Sequence, residues 1–257
     1  MRKNTKDRTG EILTMKDGSL CKCIGYRNNK DCDFQFLDDH KVIKMHQYYG
    51  NFVNGSLKNP YAPHVAGIGF IGEGENHKSQ PKAYKTWADM LNRCYKRHTE
   101  RRRDIGYLDC YVCEEWFNFQ NFVQWYLENI KLINNIDDKI CIDKDLLIKN
   151  NKCYSPNTCL LVPEKINIFM TTSKYKRGEY PIGVHYEKDS NKFKVQCCDP
   201  LDRYCRNIGR FNNVNDAFLQ YKKTKEQYAK DLANYYDGFI DPKVIKALFE
   251  FSVDITD

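Results

Sequence analysis

Hydrophobic and polar positions change their period along the chain. Over residues 1–75 short alternating or apolar runs (ILTM, SLCKCIGY, CDFQF, KVIKM) are cut by turn residues. Asp17-Gly18 is a hairpin signal, because glycine tolerates the positive φ a tight turn needs. Arg27-Asn28-Asn29-Lys30 and Asp38-Asp39-His40 supply two further turns. Short strands joined this way predict a small β module curled into an SH3-like barrel. Residues 81–104 then carry Trp87, Met90, Leu91 and Cys94 at i, i+3, i+4 and i+7, one apolar helical stripe, with Pro81 where a helix can start. A second aromatic stripe, Phe119, Phe122, Val123 and Tyr126 behind Trp116, predicts a helix over 116–130. KICIDKDLL reads as a strand, KNNKCYSPNTC as a loop, and LLVPEKINIFM as a strand running into a helix. From Tyr180 to Phe211 three short strands are separated by Asp189-Ser190-Asn191 and Asp199-Pro200-Leu201-Asp202. A long helix follows, capped by Asn213 or Asn215, with Ala217, Phe218, Tyr221 and Tyr228 on its buried face. IDPKVIKALFEFSV predicts a last short helix. The expected fold class is α+β in three parts: 1–75, 76–172 and 173–257.

The segment between the first two parts is broken by Asn59-Pro60-Tyr61-Ala62-Pro63 and holds Gly67, Gly69, Gly72 and Gly74. It lacks the GxxxxGK[ST] spacing, and although Gly67, Gly69 and Gly72 keep the GxGxxG spacing they follow a proline-broken loop and open no predicted helix before Pro81, so the segment is expected to be an ordered loop or linker rather than a phosphate cradle.

Composition narrows the class. Of 257 residues, 41% are hydrophobic and 29% charged, which suits a folded chain and argues against wholesale disorder. No apolar run approaches the ~20 residues a membrane span needs. The polar start MRKNTKDRTGE lacks the apolar stretch of a signal peptide, so no secretion is expected. Twelve cysteines in such a chain are expected to be reduced thiols. The excess of 41 Lys and Arg over 34 Asp and Glu, a net +7, permits a nucleic-acid partner without requiring one. The polar face of the 81–104 helix adds Lys85, Arg93, Lys96 and Arg97 and runs into Arg101-Arg102-Arg103, a candidate phosphate contact or an ordinary solvated face.

Two resemblances sharpen this. Trp87-x2-Met90-x2-Arg93-Cys94, VCEEW-x-NF from Val112 to Phe119, IDKD from Ile142 to Asp145, Y-x-PNTC from Tyr154 to Cys159, and Asn167 together resemble a phage-encoded group of HNH-type endonucleases. The match covers roughly 83–170. It implies a ββα-metal core in which a strand delivers an acid–base pair, a loop an Asn and a helix the last ligand. Mapped by motif, Asp143 and Asn167 would hold Mg²⁺ or another divalent cation, and Lys144 and Asn157 would fill the catalytic positions. A hard cation takes oxygen ligands and stabilises the leaving oxyanion. The base position is a histidine in the family and Lys144 here. A lysine is normally protonated and cannot act as a base without strong desolvation, although as a cation it could bind phosphate. Three readings therefore stand open: a working nuclease, a degenerate DNA-binding remnant, or a chain in which Asp143 and the two asparagines are structural.

Gly183-Val184, NKFKVQCCDP from Asn191 to Pro200, IGRF from Ile208 to Phe211 and DAFLQY from Asp216 to Tyr221 resemble the AP2 DNA-binding domain over about 180–230. That resemblance implies a three-stranded sheet on one helix, with the sheet entering the major groove of double-stranded DNA. His185, Glu187, Cys198 and Asn207 depart from the family at contact positions, so no base specificity is carried over. Lys188, Lys192, Lys194, Arg206 and Arg210, together with Arg203, remain candidate phosphate contacts. Host cytoplasm is the implied location. A homodimer would suit a palindromic target. The alternative class is a non-enzymatic phage protein: a regulator, an inhibitor of a host factor or a virion component with a protein partner. Cys94-x3-His98 and Cys110-x2-Cys113 offer four zinc-type ligands, but the first spacing is atypical and buried free thiols are the expected reading, so no structural zinc is expected.

Overall fold

The computed structural model describes residues 6–75, 77–96, 109–171 and 179–257. It is a mixed α+β chain with six α-helices and several small sheets among the described residues. No helix is long and apolar enough to cross a membrane, again among those residues. The chain forms two compact units, Met1–Gln124 and Trp125–Asp257, so the 76–172 segment is shared between them.

In the first unit, β1 (Ile12–Thr14), β2 (Leu20–Asn28), β3 (Asp31–Phe36) and β4 (Ile43–Gln47) form an antiparallel meander in sequence order. Alternation decides the inner face: Cys21, Cys23, Cys32, Phe34 and Phe36 are buried, one from every second position. The expected SH3-like barrel is not formed. β1 has three residues and pairs only with β2, so it cannot wrap round to the far edge, and closure needs strands long enough to tilt and stagger. Instead α1 (Tyr49–Val53) covers the open face, its Phe52 ring stacked on Phe34 at 4.6 Å.

Arg27 ties this sheet together from outside. Its guanidinium donates to both oxygens of Asp33 (2.7 and 2.8 Å) and to Asp31 (2.7 Å), and His46 Nδ1 lies 2.8 Å from the same Asp31 carboxylate. Beside Arg27, both Asp31 and Asp33 are held down at about 2. An acid whose folded pKa is depressed adds stability above its unfolded value and gives it up as pH falls towards the folded value. Melting temperature should therefore drop between about pH 4 and pH 2, and Arg27→Ala should flatten that acid limb in a pH series of thermal melts. An unchanged limb would show that Arg27 does not carry it.

α2 (Pro81–Tyr95) has Pro81 in its first turn and buries Trp87, Met90 and Leu91, the stripe its spacing predicts. Trp87 Nε1 donates to the Trp116 carbonyl at 2.7 Å, which satisfies a fully buried indole. The rest of the expected 81–104 helix beyond Lys96, with Arg97, His98 and Arg101–Arg103, lies outside the described residues. The short strand β5 (Tyr111–Val112) and a 3₁₀ turn, Glu114–Phe117, lead into α3 (Phe119–Ile130). The glycine-rich segment is docked rather than open to a ligand. Gln120 donates to the carbonyls of Ile71 (2.6 Å) and Glu75 (2.7 Å) and accepts from the Glu75 amide (2.9 Å).

In the second unit, β6 (Ile140–Asp143) pairs antiparallel with β8 (Leu160–Pro163), and α4 (Glu164–Met170) follows directly; β7 (Cys153–Tyr154) lies in the intervening loop. Leu160, Val162, Ile166 and Phe169 pack with Ala229, Leu232 and Tyr236 of α5 (Val214–Tyr236) and with Val244 and Leu248 of α6 (Pro242–Phe249). β9 (Val184–Glu187), β10 (Lys192–Cys198) and β11 (Cys205–Phe211) form an antiparallel sheet with β10 central. Val184, Val195 and Cys197 of that sheet pack on Ala217, Phe218 and Tyr221 of α5. Asn213 caps α5, accepting from the Asp216 amide at 2.8 Å. Asp241 caps α6.

The expectation that every cysteine is a free thiol fails at one pair. Cys198 and Cys205 are joined by a disulfide; they are direct partners across β10 and β11, with Cα atoms 3.8 Å apart. Cys21, Cys23, Cys32, Cys153, Cys159 and Cys197 remain thiols. The neighbours Cys197 and Cys198 point to opposite faces, the first buried and the second exposed.

Candidate nucleic-acid interface and metal-ligand segment

The face of the β9–β11 sheet turned away from α5 is polar by simple alternation. With Val195 and Cys197 inward, Lys192, Lys194 and Gln196 must point outward. The register then assembles a row across all three strands: His185 faces Lys194, and Lys194 faces Arg210. Glu187 stands opposite Lys192, and Asn207 opposite Gln196. Three permanent cations therefore share the face with one carboxylate. Arg210 reaches across the central strand to Glu187, Nε to Oε2 at 2.6 Å and Nη2 to Oε1 at 3.1 Å. That guanidinium holds Glu187 down at about 2, so the carboxylate stays charged and occupies much of the arginine's donor fork. The register puts Arg210 on the same face as Lys192 and Lys194, of which alternation along the sequence pairs only the two lysines. It also adds His185, Gln196 and Asn207, which were not expected as contacts. Alternation along β9 alone would have placed His185 and Glu187 on one face.

Arg206 does not join them. A bulge between Val195 and Gln196 shifts the register, so Arg206 sits opposite buried Cys197 rather than on the outer face. Its guanidinium is spent on Asp199 (3.1 Å) and on Asp202. Lys188 is exposed in the turn after β9. Arg101, Arg102 and Arg103 lie outside the described residues.

The segment matched to the nuclease motif has the order strand, loop, strand, helix: β6, residues 144–159, β8, α4. Asp143 ends β6 and is 8% exposed. Its Oδ1 accepts from the backbone amides of Asp145 (2.9 Å) and Leu146 (2.7 Å), which turns the chain out of the strand. Its Oδ2 has no hydrogen-bond partner among the described residues. Burial pushes its pKa up, and the two amides act against that. Lys144 is buried, and its Nζ donates to Asp145 Oδ2 (2.7 Å) and to the Asn151 carbonyl (2.6 Å). Asn151 answers by donating to the carbonyls of Lys144 and Cys153. With Nζ tied to Asp145 and Asn151, this lysine works as a clamp on the 144–153 loop. Asn157 is exposed in the turn 155–158, and Asn167 is half-buried on α4 with its carbonyl taken by Thr171. No hydrogen bond joins the side chains of Asp143, Asn157 and Asn167. Cys159, buried beside this loop, has its thiol pushed up to about 12 by burial, which makes it inert.

For a divalent cation the donor chemistry fits in part. Asp143 Oδ2 and the Asn167 amide oxygen are hard donors, and the strand–loop–strand–helix order is that of the motif. Among the described residues the one cluster of three metal-type ligands lies elsewhere, at Asp31, Asp33 and His46, where Arg27 already occupies both carboxylates. Cys94, Cys110 and Cys113 do not form such a cluster there. No family model, no curated protein and no solved structure matches this chain.

Proposed function

We propose that this chain binds double-stranded DNA through the outer face of the β9–β11 sheet. The observation that carries the reading is the row His185–Lys194–Arg210 with Lys192 beside it. Alternating outward cations on a ribbon backed by one helix suit a phosphate-lined groove, which admits a β-ribbon by its width. The resemblance to AP2 domains over the same residues supports it. The β6–β8–α4 segment is, on this reading, a nuclease-like scaffold in which Lys144 clamps the loop where the resembled family has its base.

A second reading, metal-dependent strand cleavage, is favoured by one observation: Asp143 keeps Oδ2 unspent at the end of β6. Asp143 and Asn167 would hold the cation, which would stabilise the leaving oxyanion. Lys144, whose Nζ is already bonded to Asp145 and Asn151, would hold the loop in place rather than act as the base. One experiment separates the two. Purified protein is incubated with supercoiled plasmid and Mg²⁺ or Mn²⁺, with an EDTA control, beside Asp143→Ala. The first reading expects salt-sensitive binding and no nicking. Nicking that needs metal and disappears in Asp143→Ala establishes the second. Absence of salt-sensitive binding refutes the DNA reading and leaves a protein partner as the remaining class.

A further inference from the structure

The β1–β4 sheet packs on α1 with one face and leaves the other in water. Alternation turns Cys21, Cys23, Phe34 and Phe36 towards the α1 side, so Leu20, Lys22, Gln35 and Leu37 point the other way. The register extends these into two rows. Ile12 faces Lys22, Lys22 faces Gln35, and Gln35 faces Ile43, one residue from each of the four strands. In the next row Leu20 lies beside Leu37, whose amide donates to the Leu20 carbonyl at 2.9 Å. Ile12 (50%), Leu20 (51%), Leu37 (42%) and Ile43 (48%) are all left exposed. Single apolar residues on a surface need no explanation, but four in two adjacent rows of one sheet mark a contact surface.

The order of residues within the rows selects what covers them. Across the sheet the first row reads aliphatic, polar, polar, aliphatic, and the second has a leucine on each of the two central strands. A two-fold axis parallel to the strands, between β2 and β3, lays a second sheet on the first with its strand order reversed. Ile12 then meets Ile43 of the second copy, and Leu20 meets its Leu37. Lys22, the one charged residue among these six, meets Gln35 rather than another lysine. Gln35 gives its Nε2 to the Lys41 carbonyl (3.3 Å), which leaves Oε1 to accept from the ammonium. A polyanion would find only that one cation here. Strands ~4.8 Å apart and outward rows ~7 Å apart give each copy a face of roughly 20 by 15 Å, and covering it on both copies approaches the ~1,000 Å² at which specific interfaces begin. We propose that this face joins two copies of the chain in a reversible homodimer. The proposal stands apart from the DNA-binding reading and needs none of its residues.

The test is sedimentation velocity of the full chain without DNA, over a concentration series from about 1 to about 200 μM, the range a small interface calls for. Wild type should pass from monomer to dimer with a Kd on the order of 10 μM. Leu20→Glu and Ile43→Lys should each weaken association at least about a hundredfold, because the symmetry brings the new charge into the interface twice. Both side chains are exposed in the single copy, so thermal melts of the dilute variants should coincide with wild type. The register has its own readout. Ile12→Cys mixed with Ile43→Cys under mild oxidation should give a covalent dimer above the wild-type background, and neither variant alone should. A covalent dimer from Ile12→Cys alone would turn the axis across the strands and overturn the arrangement. Wild type that stays monomeric throughout, or Leu20→Glu that associates as wild type does, overturns the interface. None of these outcomes touches the DNA reading, since no DNA is present.

Discussion

Gly183→Ala should destabilise the second unit by about 2–4 kcal/mol, through overpacking and a disfavoured backbone together. Gly183 has φ +76°, where a side chain is disfavoured, and a Cβ built on it would lie 2.0 Å from Cδ2 of Tyr221. Tyr221 is itself buried on the side of α5 that packs on the sheet, so its ring cannot swing into water to make room. Either the sheet lifts from the helix or the glycine segment moves, and each loosens the Val184, Val195 and Phe218 packing. Gly238 is the matched control. It has φ +78° in the same unit, but nothing lies within 4 Å of its would-be Cβ. Gly238→Ala should therefore cost only the backbone preference, about 1 kcal/mol. Denaturant unfolding of the two variants separates close approach from conformation. Equal losses would mean that Tyr221 yields freely and that Gly183 is there for its φ alone.

The second large effect concerns binding. Replacing Lys192, Lys194 and Arg210 by glutamine should weaken affinity for a random duplex roughly a hundredfold near 0.15 M salt, because each cation that no longer neutralises a phosphate takes about 0.9 off the salt slope. The slope should flatten by about 2–3 in the same titrations. Glu187→Gln should move the other way. It frees the Arg210 fork from its carboxylate and removes the negative charge from the face, so binding should tighten several-fold. Opposite signs from neighbouring residues are hard to produce by damage to the fold. Near-equal affinities for all these variants would move any DNA contact to another surface.

The helical parts of the chain were legible because their signals are local. Trp87, Met90 and Leu91 declare a buried face by spacing alone, and a capping asparagine is expected at 213 or 215, of which the structure uses Asn213. The strand–loop–strand–helix order around Asp143 is legible for the same reason. What was not legible depends on register between strands. Barrel closure is a property of the whole sheet, and a three-residue β1 cannot achieve it. The pairing of Cys198 with Cys205 needs the hairpin alignment, which turn residues do not specify to one position. Arg206 and Arg210 share a face in any regular strand; the bulge after Val195 separates them, and no residue in the sequence announces it. At the candidate metal segment, residue types suggested a role for Lys144, but the distance from its Nζ to the Asn151 carbonyl shows what that nitrogen is doing.

The Gln120 clamp on the glycine-rich segment has a consequence for hydrogen exchange. The Glu75 amide belongs to no helix or strand, so its neighbours in sequence offer it no ladder to hide in. Its protection comes from one side-chain oxygen at the start of α3. Its exchange rate therefore reports the fraying of that helix start, forty-five positions further along the chain. A loop amide becomes a clock for a helix it does not belong to.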